Sequence, residues 1–416
     1  MEIPNKILSL LLYSYVLLLP ILPSKFKIGK IPFNGDVILA LLILFYLLMI
    51  MFLKDHRRKF IKGIKDFFTN YLDIFIFVLI AIMFISISYS VDKKIALGET
   101  LRFSTYIALY FIIKYELNEK KILDNILKLY IIAGTIISTI GIFEYSRGIG
   151  YVQQSEHGVM VRIFSTLENS NNLGVFMVIF IFPVIMLALN ESNRRKKIMY
   201  IVISLLALAN IILSFSRNAW VGLVIGCIIL AITYNWKIII GLFGLGGLSL
   251  FIPAVWNRVV EITDISQNLS RIKLWDIALM MIKDHPIRGV GNGNYRALYE
   301  EYRLLYKNKI EYYPGQNFHP HNIILKIQTE LGIFGTISFI AMILSIATKL
   351  IKFINSCKDS FYKAFYKGFL ASFIAFICMN FIDNFFSAPK VIAFFWILIA
   401  VFRAISYSDN RVGDFY

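Results

Sequence analysis

The sequence of 416 residues predicts an all-α, polytopic membrane protein with about twelve transmembrane helices. Three observations predict it. Apolar residues make up 58% of the chain and charged residues 17%, whereas a soluble domain holds roughly 45–50% and about 25%. The mean hydropathy is +0.69. The apolar residues are also gathered into runs close to the about 20 residues that a helix needs to cross a bilayer. A soluble enzyme, a secreted disulfide scaffold and a disordered chain are excluded. Residues 1–416 read as a single integral-membrane domain.

Twelve apolar stretches follow in order, at 7–22, 36–53, 71–90, 95–115, 126–145, 172–190, 198–214, 218–234, 237–254, 322–348, 365–382 and 390–405. No small-residue cleavage site follows the first, so it reads as a retained helix and not a signal peptide. The fourth contains Glu99 and Arg102, and the last is short. Lys and Arg number 43 against 26 Asp and Glu, a formal charge of +17. In a polytopic chain this reads as basic cytoplasmic loops held against anionic lipid, not as a nucleic-acid surface. Lys54, Arg57, Arg58, Lys59, Lys62 and Lys65 follow the second stretch, Arg194–Lys197 the sixth, and Lys349, Lys352, Lys358 and Lys363 the tenth. All three follow even-numbered spans, which places both termini in the cytoplasm. Lys25, Lys27 and Lys30 dissent from the outer side.

This topology leaves two longer loops outside, 146–171 and 255–321, the second between spans 9 and 10. The second carries nine Lys or Arg against seven Asp or Glu, so the basic excess is not concentrated there. Within it, Ile272, Trp275, Leu279 and Ile282 share one helical face, with Arg271, Lys273 and Asp276 on the other. An amphipathic helix over 269–283 is expected, lying on the membrane or capping the bundle. Asp284-His285-Pro286 ends it, a turn through Gly289-Val290-Gly291-Asn292-Gly293 follows, and Tyr295–Tyr313 leads to Pro314-Gly315.

Of five histidines, His157, His285, His319 and His321 fall outside, and the last two sit where the large loop re-enters the membrane. A histidine there is a candidate general base; the plainer reading is a polar cap on the tenth helix. A metal site at His319 and His321 has no acidic cluster in sequence beside it, and no Asp-x-Asp occurs in the chain. No Walker-type phosphate loop appears either. No metal and no cofactor are expected. Arg217, in Ser214-Phe215-Ser216-Arg217-Asn218, lies in a short outer link, where a charge at the membrane boundary marks function by default. Arg102, Arg162 and Arg271 also lie toward the outer side. Arginine's planar fork suits pyrophosphate, against the plainer readings of headgroup contacts for Arg162 and Arg271 and a Glu99–Arg102 pair. Cys227, Cys357 and Cys378 have no metal or disulfide spacing.

The motifs resemble one family. His321-Asn322, nine residues, then Gly332-Ile333-Phe334-Gly335-Thr336 resembles the signature of O-antigen ligases and the related O-antigen polymerases. Ser214-Phe215-Ser216-Arg217 resembles their Ser-x-Ser-Arg segment. Arg271 through Trp275 to Pro286-Ile287-Arg288-Gly289-Val290-Gly291-Asn292-Gly293-Asn294-Tyr295 resembles their Pro-x-x-Gly-x-Gly stretch. Arg162 to Asn171 resembles an Arg-x-x-Gly-Thr…Asn-Pro-Asn segment, with Ser165 and Ser170 in place of Gly and Pro.

The resemblance implies a GT-C-like transferase in the cytoplasmic (inner) membrane with an extracytoplasmic active site that includes the 255–321 loop. It implies an undecaprenyl-pyrophosphate-linked oligosaccharide donor, a glycan or lipid-carrier acceptor, membrane lipids as surroundings, and metal-independent transfer with inversion. His321 is the expected base, with Arg217 and Arg271 as pyrophosphate clamps. Arg102, Arg162, His319 and Asn322 are expected substrate-binding residues. Trp275, Tyr295, Tyr299, Tyr302, Tyr306, Tyr312 and Tyr313 offer faces to sugar rings or form a packed cap. Gly332 and Gly335 let the tenth span approach a neighbour. Asp383 and Asn384 stand outside the candidate set as groups that could orient a catalytic residue. Polymerisation is expected ahead of ligation. A flippase for lipid-linked glycans is the rival, and a scaffold for polysaccharide export the third reading; clustering of the unusual polar residues on one face favours an enzyme.

Overall fold

The computed structural model describes residues 3–23, 27–28, 31–155, 158–238, 240–241, 244, 247, 251, 256, 266–305 and 319–413. Most of the ninth apolar stretch lies outside the described residues, as do His157, Tyr306, Tyr312 and Tyr313.

The remaining stretches all fall on helices. In chain order these are α1 (Ile3–Ile21), α2 (Gly35–Phe52), α3 (Lys54–Phe67), α4 (Tyr71–Ser86) and α5 (Lys93–Phe111), which runs into a π-helical turn at Ile112–Glu116. Then follow α6 (Lys120–Ser146), α7 (Ser170–Asn190), α8 (Arg194–Leu213) and α9 (Arg217–Thr233). The remainder are α10 (Ser266–Asp284), α11 (Tyr295–Leu305), α12 (Ile323–Ser356), α13 (Ser360–Met379) and α14 (Pro389–Gly413). Two small antiparallel ribbons modify the all-α expectation: β1 (Lys27–Ile28) with β2 (Ile31–Pro32), and β3 (Tyr151–Ser155) with β4 (Gly158–Arg162).

Among the described residues, eight helices are long and apolar enough to cross a membrane: α1, α2, α6, α7, α8, α12, α13 and α14. The expected twelve is larger for stated reasons. The α4 and α9 helices are apolar but only 16 and 17 residues long, and α5 is interrupted by Glu99 and Arg102. The segment after α2, read from sequence as a basic loop, is itself the helix α3, turned 93° from α4.

The α7 helix and most of α14 are apolar all round and buried on every side, as expected of helices enclosed by others. Helices α8, α9 and α13 surround α7, while α12 packs on α4 and α14 on α5. Small residues set the close approaches: Gly226 of α9 and Gly368 of α13 both lie against Phe182 of α7. Polar side chains start the helices. Asn70 accepts from Leu72 N, Asp92 from Ile95 N, and Asp359 from Phe361 N.

The bundle has two distinct ends. The Tyr71 hydroxyl lies 3.3 Å from Thr348 Oγ1, so the basic segments after α2 and α12 share one end. The Leu213 carbonyl at the close of α8 accepts from Ile163 at the other end, which puts Arg194–Lys197 with those two. That basic end also holds a buried ionic cluster. Lys114 Nζ meets Asp73 Oδ2 at 2.6 Å with both side chains fully enclosed, and Tyr110 donates to Asp73 Oδ1 at 2.6 Å. The unusual polar residues are therefore not confined to one face. Those at the basic end pair with each other, and Arg403 Nη2, 3.9 Å from Asp73 Oδ2, extends the cluster from α4 and α5 to α14.

Candidate active site

The site is assembled at the opposite end, where α12 begins. Asn322 caps that helix, its Oδ1 accepting from Ile324 N at 3.0 Å and Leu325 N at 3.1 Å. Its Nδ2 donates to the Phe381 carbonyl at 3.0 Å. Ile323 N donates to the Asn380 carbonyl at 2.9 Å. The start of α12 is thereby tied to the loop between α13 and α14.

That tie brings His321 to Asp383. The His321 Nδ1 atom lies 2.7 Å from Asp383 Oδ1. An ionised carboxylate only accepts, so Nδ1 is the ring nitrogen that donates to Asp383, and Nε2 is the one left for another partner. Burial works to raise the Asp383 carboxyl, but the His321 hydrogen bond and charge, the Asn384 amide and the Arg271 charge together hold it below its ordinary value. Asn384 N donates to the same Oδ1 at 2.9 Å. His321 itself sits at φ 46°, a left-handed conformation that costs a non-glycine residue of order 1–3 kcal/mol. Its N–H donates to His319 Nδ1 at 3.3 Å, and the cap at Asn322 holds its other side.

The His319 ring lies 4.2 Å from that of His321, centroid to centroid, tilted by 46°. Burial first, then the charges of His321 and Lys326, pull its pKa down to about 3, with Asp383 opposing. It is a neutral imidazole at ordinary pH. Ligand atoms of His319, His321 and Asp383 lie within 4.8 Å of one another, so this set could hold a metal ion. A His–His–carboxylate set suits zinc, although the two Nδ1 atoms are already committed to hydrogen bonds.

The arginines are placed differently from one another. Arg271 lies in the second turn of α10, near enough for its charge to bear on Asp383. Arg217 is the first residue of α9, capped by Ser216. Its neighbour Asn218 donates to the Met379 carbonyl at 3.0 Å, which seats that first turn against the end of α13. Arg162, at the end of β4, donates to the Ser214 carbonyl at 3.0 Å and to Asn171 Oδ1 at 2.9 Å. It braces the turn that presents Arg217. Arg102 pairs with Glu99 at 3.2 Å.

Arg102 and Glu99 line a slot between α4, α5 and α12, bordered by Phe386 and Ser387. Lys326, Glu330 and Asn292 complete its polar part; Leu79, Met83, Phe103, Ile323, Ile327 and Phe339 line the apolar part.

The glycine-rich turn docks on a break in α12. Gly332 has φ 68° and ψ −166° inside the helix. Val290 N and Gly291 N donate to the Thr329 and Glu330 carbonyls, both at 2.8 Å, and Ile333 N donates to the Ile287 carbonyl at 3.2 Å. Gly332 thus permits a close approach, by a loop and through a break, where the sequence suggested a neighbouring helix. Asn292 continues inward, its Nδ2 donating to Thr100 Oγ1 at 3.0 Å.

Tyr295, Tyr299 and Tyr302 are buried with Leu274, Ile277, Ala278 and Met281, so they form a packed cap and not faces for sugar rings. The α10 helix is apolar on two sides: Leu274, Ile277 and Met281 are buried against this cap, while Ile272 and Leu279 of the face marked in the sequence point outward. Asp383, left outside the candidate set, is the residue the fold joins to His321.

Comparison with known proteins points to one family. The sequence profile of a family described as O-antigen ligase matches residues 202–340, the stretch holding Arg217, Arg271 and His321. An O-antigen ligase of Salmonella typhimurium is 24% identical over 228 residues, 50% of this chain and 53% of that protein. Proteins of Rickettsia felis and Rickettsia conorii, provisionally named polysaccharide ligases, are each 26% identical over 51% of this chain and 54% of theirs. The chain spans about half the length of the curated relatives it matches. A polytopic, α-helical chain with a His–Asp pair at the start of a long helix is the class that fold and site define. Within it, the chain is similar to the O-antigen ligase family.

Proposed function

We propose that the protein is a glycosyltransferase that moves a glycan from a polyprenyl-pyrophosphate carrier, undecaprenyl pyrophosphate in the cell, to a hydroxyl acceptor. The observation that carries the reading is the 2.7 Å His321–Asp383 contact, which turns Nε2 away from the carboxylate; Ile323, two residues on, lines a slot that is apolar on one side and carries the Arg102–Glu99 and Lys326–Glu330 pairs on the other. His321 Nε2 takes the proton of the acceptor hydroxyl. That oxygen bonds to the anomeric carbon as the carbon–oxygen bond to pyrophosphate breaks on the opposite face, which inverts the centre. Arg217 and Arg271 stabilise the charge that gathers on the pyrophosphate. No metal or ATP enters these steps. His319, Asn322 and Arg162 shape the substrate's surroundings.

The reaction belongs to the outer face of the cytoplasmic membrane, with both termini cytoplasmic. The shared end of three basic segments supports that topology. The relatives' names speak of ligation, which weighs toward a separate acceptor over polymerisation. The test is purified protein in lipid with an undecaprenyl-pyrophosphate oligosaccharide and EDTA, comparing wild type with His321→Ala. Longer glycan from donor alone means a polymerase. Carrier release only on adding a second acceptor means a ligase. A variant as active as wild type removes His321 from the mechanism, and no carrier release from a native donor favours transport.

A further inference from the structure

The α3 helix buries one face against the bundle and stands apart from the site. It begins at Lys54, next to the close of α2 at Phe52, and lies at 93° to α4. Its faces divide three ways. His56, Gly63 and Phe67 are buried; Gly63 lies against Phe111 and Tyr115, and His56 Nδ1 meets Glu116 at 2.8 Å. Ile61, Ile64 and the following Phe68 are exposed along a second flank. Lys54, Arg58, Lys62 and Lys65 are exposed on the face adjoining it. Arg57 is already engaged, donating to the carbonyls of Ile50 and Met51 that end α2.

We propose that α3 is an in-plane helix whose outer faces dock on an anionic phospholipid surface. A helix at right angles to its neighbouring apolar helix, placed where that helix ends, runs along the plane of the headgroups. Its exposed Ile61, Ile64 and Phe68 then enter the acyl boundary, and the adjoining cations meet phosphate. Bulk water offers nothing to three exposed apolar side chains, and an acidic soluble protein offers nothing to their flank at bilayer depth. Charge and apolarity on adjoining faces fit one occupant, the bilayer surface.

The probe is phosphatidylglycerol against phosphatidylcholine. Full-length protein in detergent is titrated with each lipid, and bound lipid is counted by native mass spectrometry. The variants are Arg58→Gln/Lys62→Gln/Lys65→Gln, and Arg194→Gln/Arg195→Gln/Lys196→Gln as a control of equal charge. Wild type and the α8 control are expected to prefer phosphatidylglycerol. The α3 variant is expected to lose that preference by roughly fivefold per cation at low salt, with phosphatidylcholine binding unchanged. Equal loss in both variants would mean bulk charge, and no loss in the α3 variant would leave the face to an acidic protein; either result overturns the proposal. Neither readout depends on glycosyl transfer.

Discussion

Gly289 and Gly332 occupy one contact from its two sides. Each has a left-handed backbone, φ 69° and 68°, and a Cβ on Gly289 would lie 2.7 Å from Gly332 N and 2.5 Å from the Glu330 carbonyl carbon. A Cβ on Gly332 would meet the Ile287 carbonyl oxygen. The loop and the broken helix exchange backbone hydrogen bonds only because neither residue has a side chain. The two glycine motifs, about forty residues apart in sequence, are one structural unit.

Gly332→Ala and Gly289→Ala should each destabilise the protein. The left-handed backbone alone costs about 1–2 kcal/mol for alanine, and backbone contacts add to it because they cannot swing aside. Thermal melting in detergent should show a clear loss for each. The double variant should lose less than the sum, because both residues serve one contact. Additive losses would show that the loop and the break are independent.

Asp383→Asn keeps the shape of the His321 partner and removes its charge. An amide can donate to Nδ1, which moves the imidazole proton to Nε2 and takes away the base. The turnover rate should fall by about 10²–10⁴-fold, the range of general-base catalysis, with little change in KM. A pH–rate profile separates this from a folding defect, since a misfolded fraction lowers the rate without moving the profile.

The sequence made one part of this site legible and hid the other. His321 stands at the start of a long apolar run, so its place at a membrane boundary follows from composition alone. Asp383 lies 62 residues away, and no local period links the two. Only the packing of α9 and α12 on the end of α13 does so. Composition also hid the faces of α10. Ile272 and Leu279 make one apolar stripe and Leu274, Ile277 and Met281 another, and burial by α11 selects the second. Tyr295, Tyr299 and Tyr302 look like sugar platforms until their helix turns them against that stripe. The α3 helix escaped because its few apolar residues serve two surfaces and satisfy neither pattern.

His319 sets an acid-side limit. In the unfolded chain its imidazole takes a proton near its ordinary value of about 6.5; in the fold it does so only near 3. Between those values the unfolded state binds the extra proton, so stability falls as pH falls through this window, by at most about 1.4 kcal/mol per pH unit. Asp383, held below its ordinary value, adds a loss at the acid end as it protonates. Melting curves between pH 7 and 4 should slope less steeply for His319→Gln than for wild type. Parallel slopes would remove His319 as the cause.

Arg162 should separate from Arg217. Its guanidinium is spent on Ser214 O and Asn171, so Arg162→Ala should lower the melting temperature together with activity. Arg217→Lys keeps the charge and loses the planar fork that suits pyrophosphate. It should lower the turnover rate while leaving the melting temperature near wild type. If Arg217→Lys melts early and Arg162→Ala does not, the two roles are exchanged.

On the proposed mechanism, zinc should inhibit glycan transfer. His319, His321 and Asp383 offer ligand atoms within 4.8 Å of one another, and two imidazoles with a carboxylate suit that ion. A zinc ion held there takes the His321 lone pair that the reaction needs for the acceptor proton. EDTA alone should therefore leave the rate of glycan transfer unchanged, added zinc should lower it, and EDTA added afterwards should restore it. Magnesium, which prefers oxygen ligands, should do neither. The outcome to watch is the opposite one: loss of activity in EDTA with recovery on zinc would make the ion part of the chemistry. His321 would then be a ligand, and the base would have to be found elsewhere.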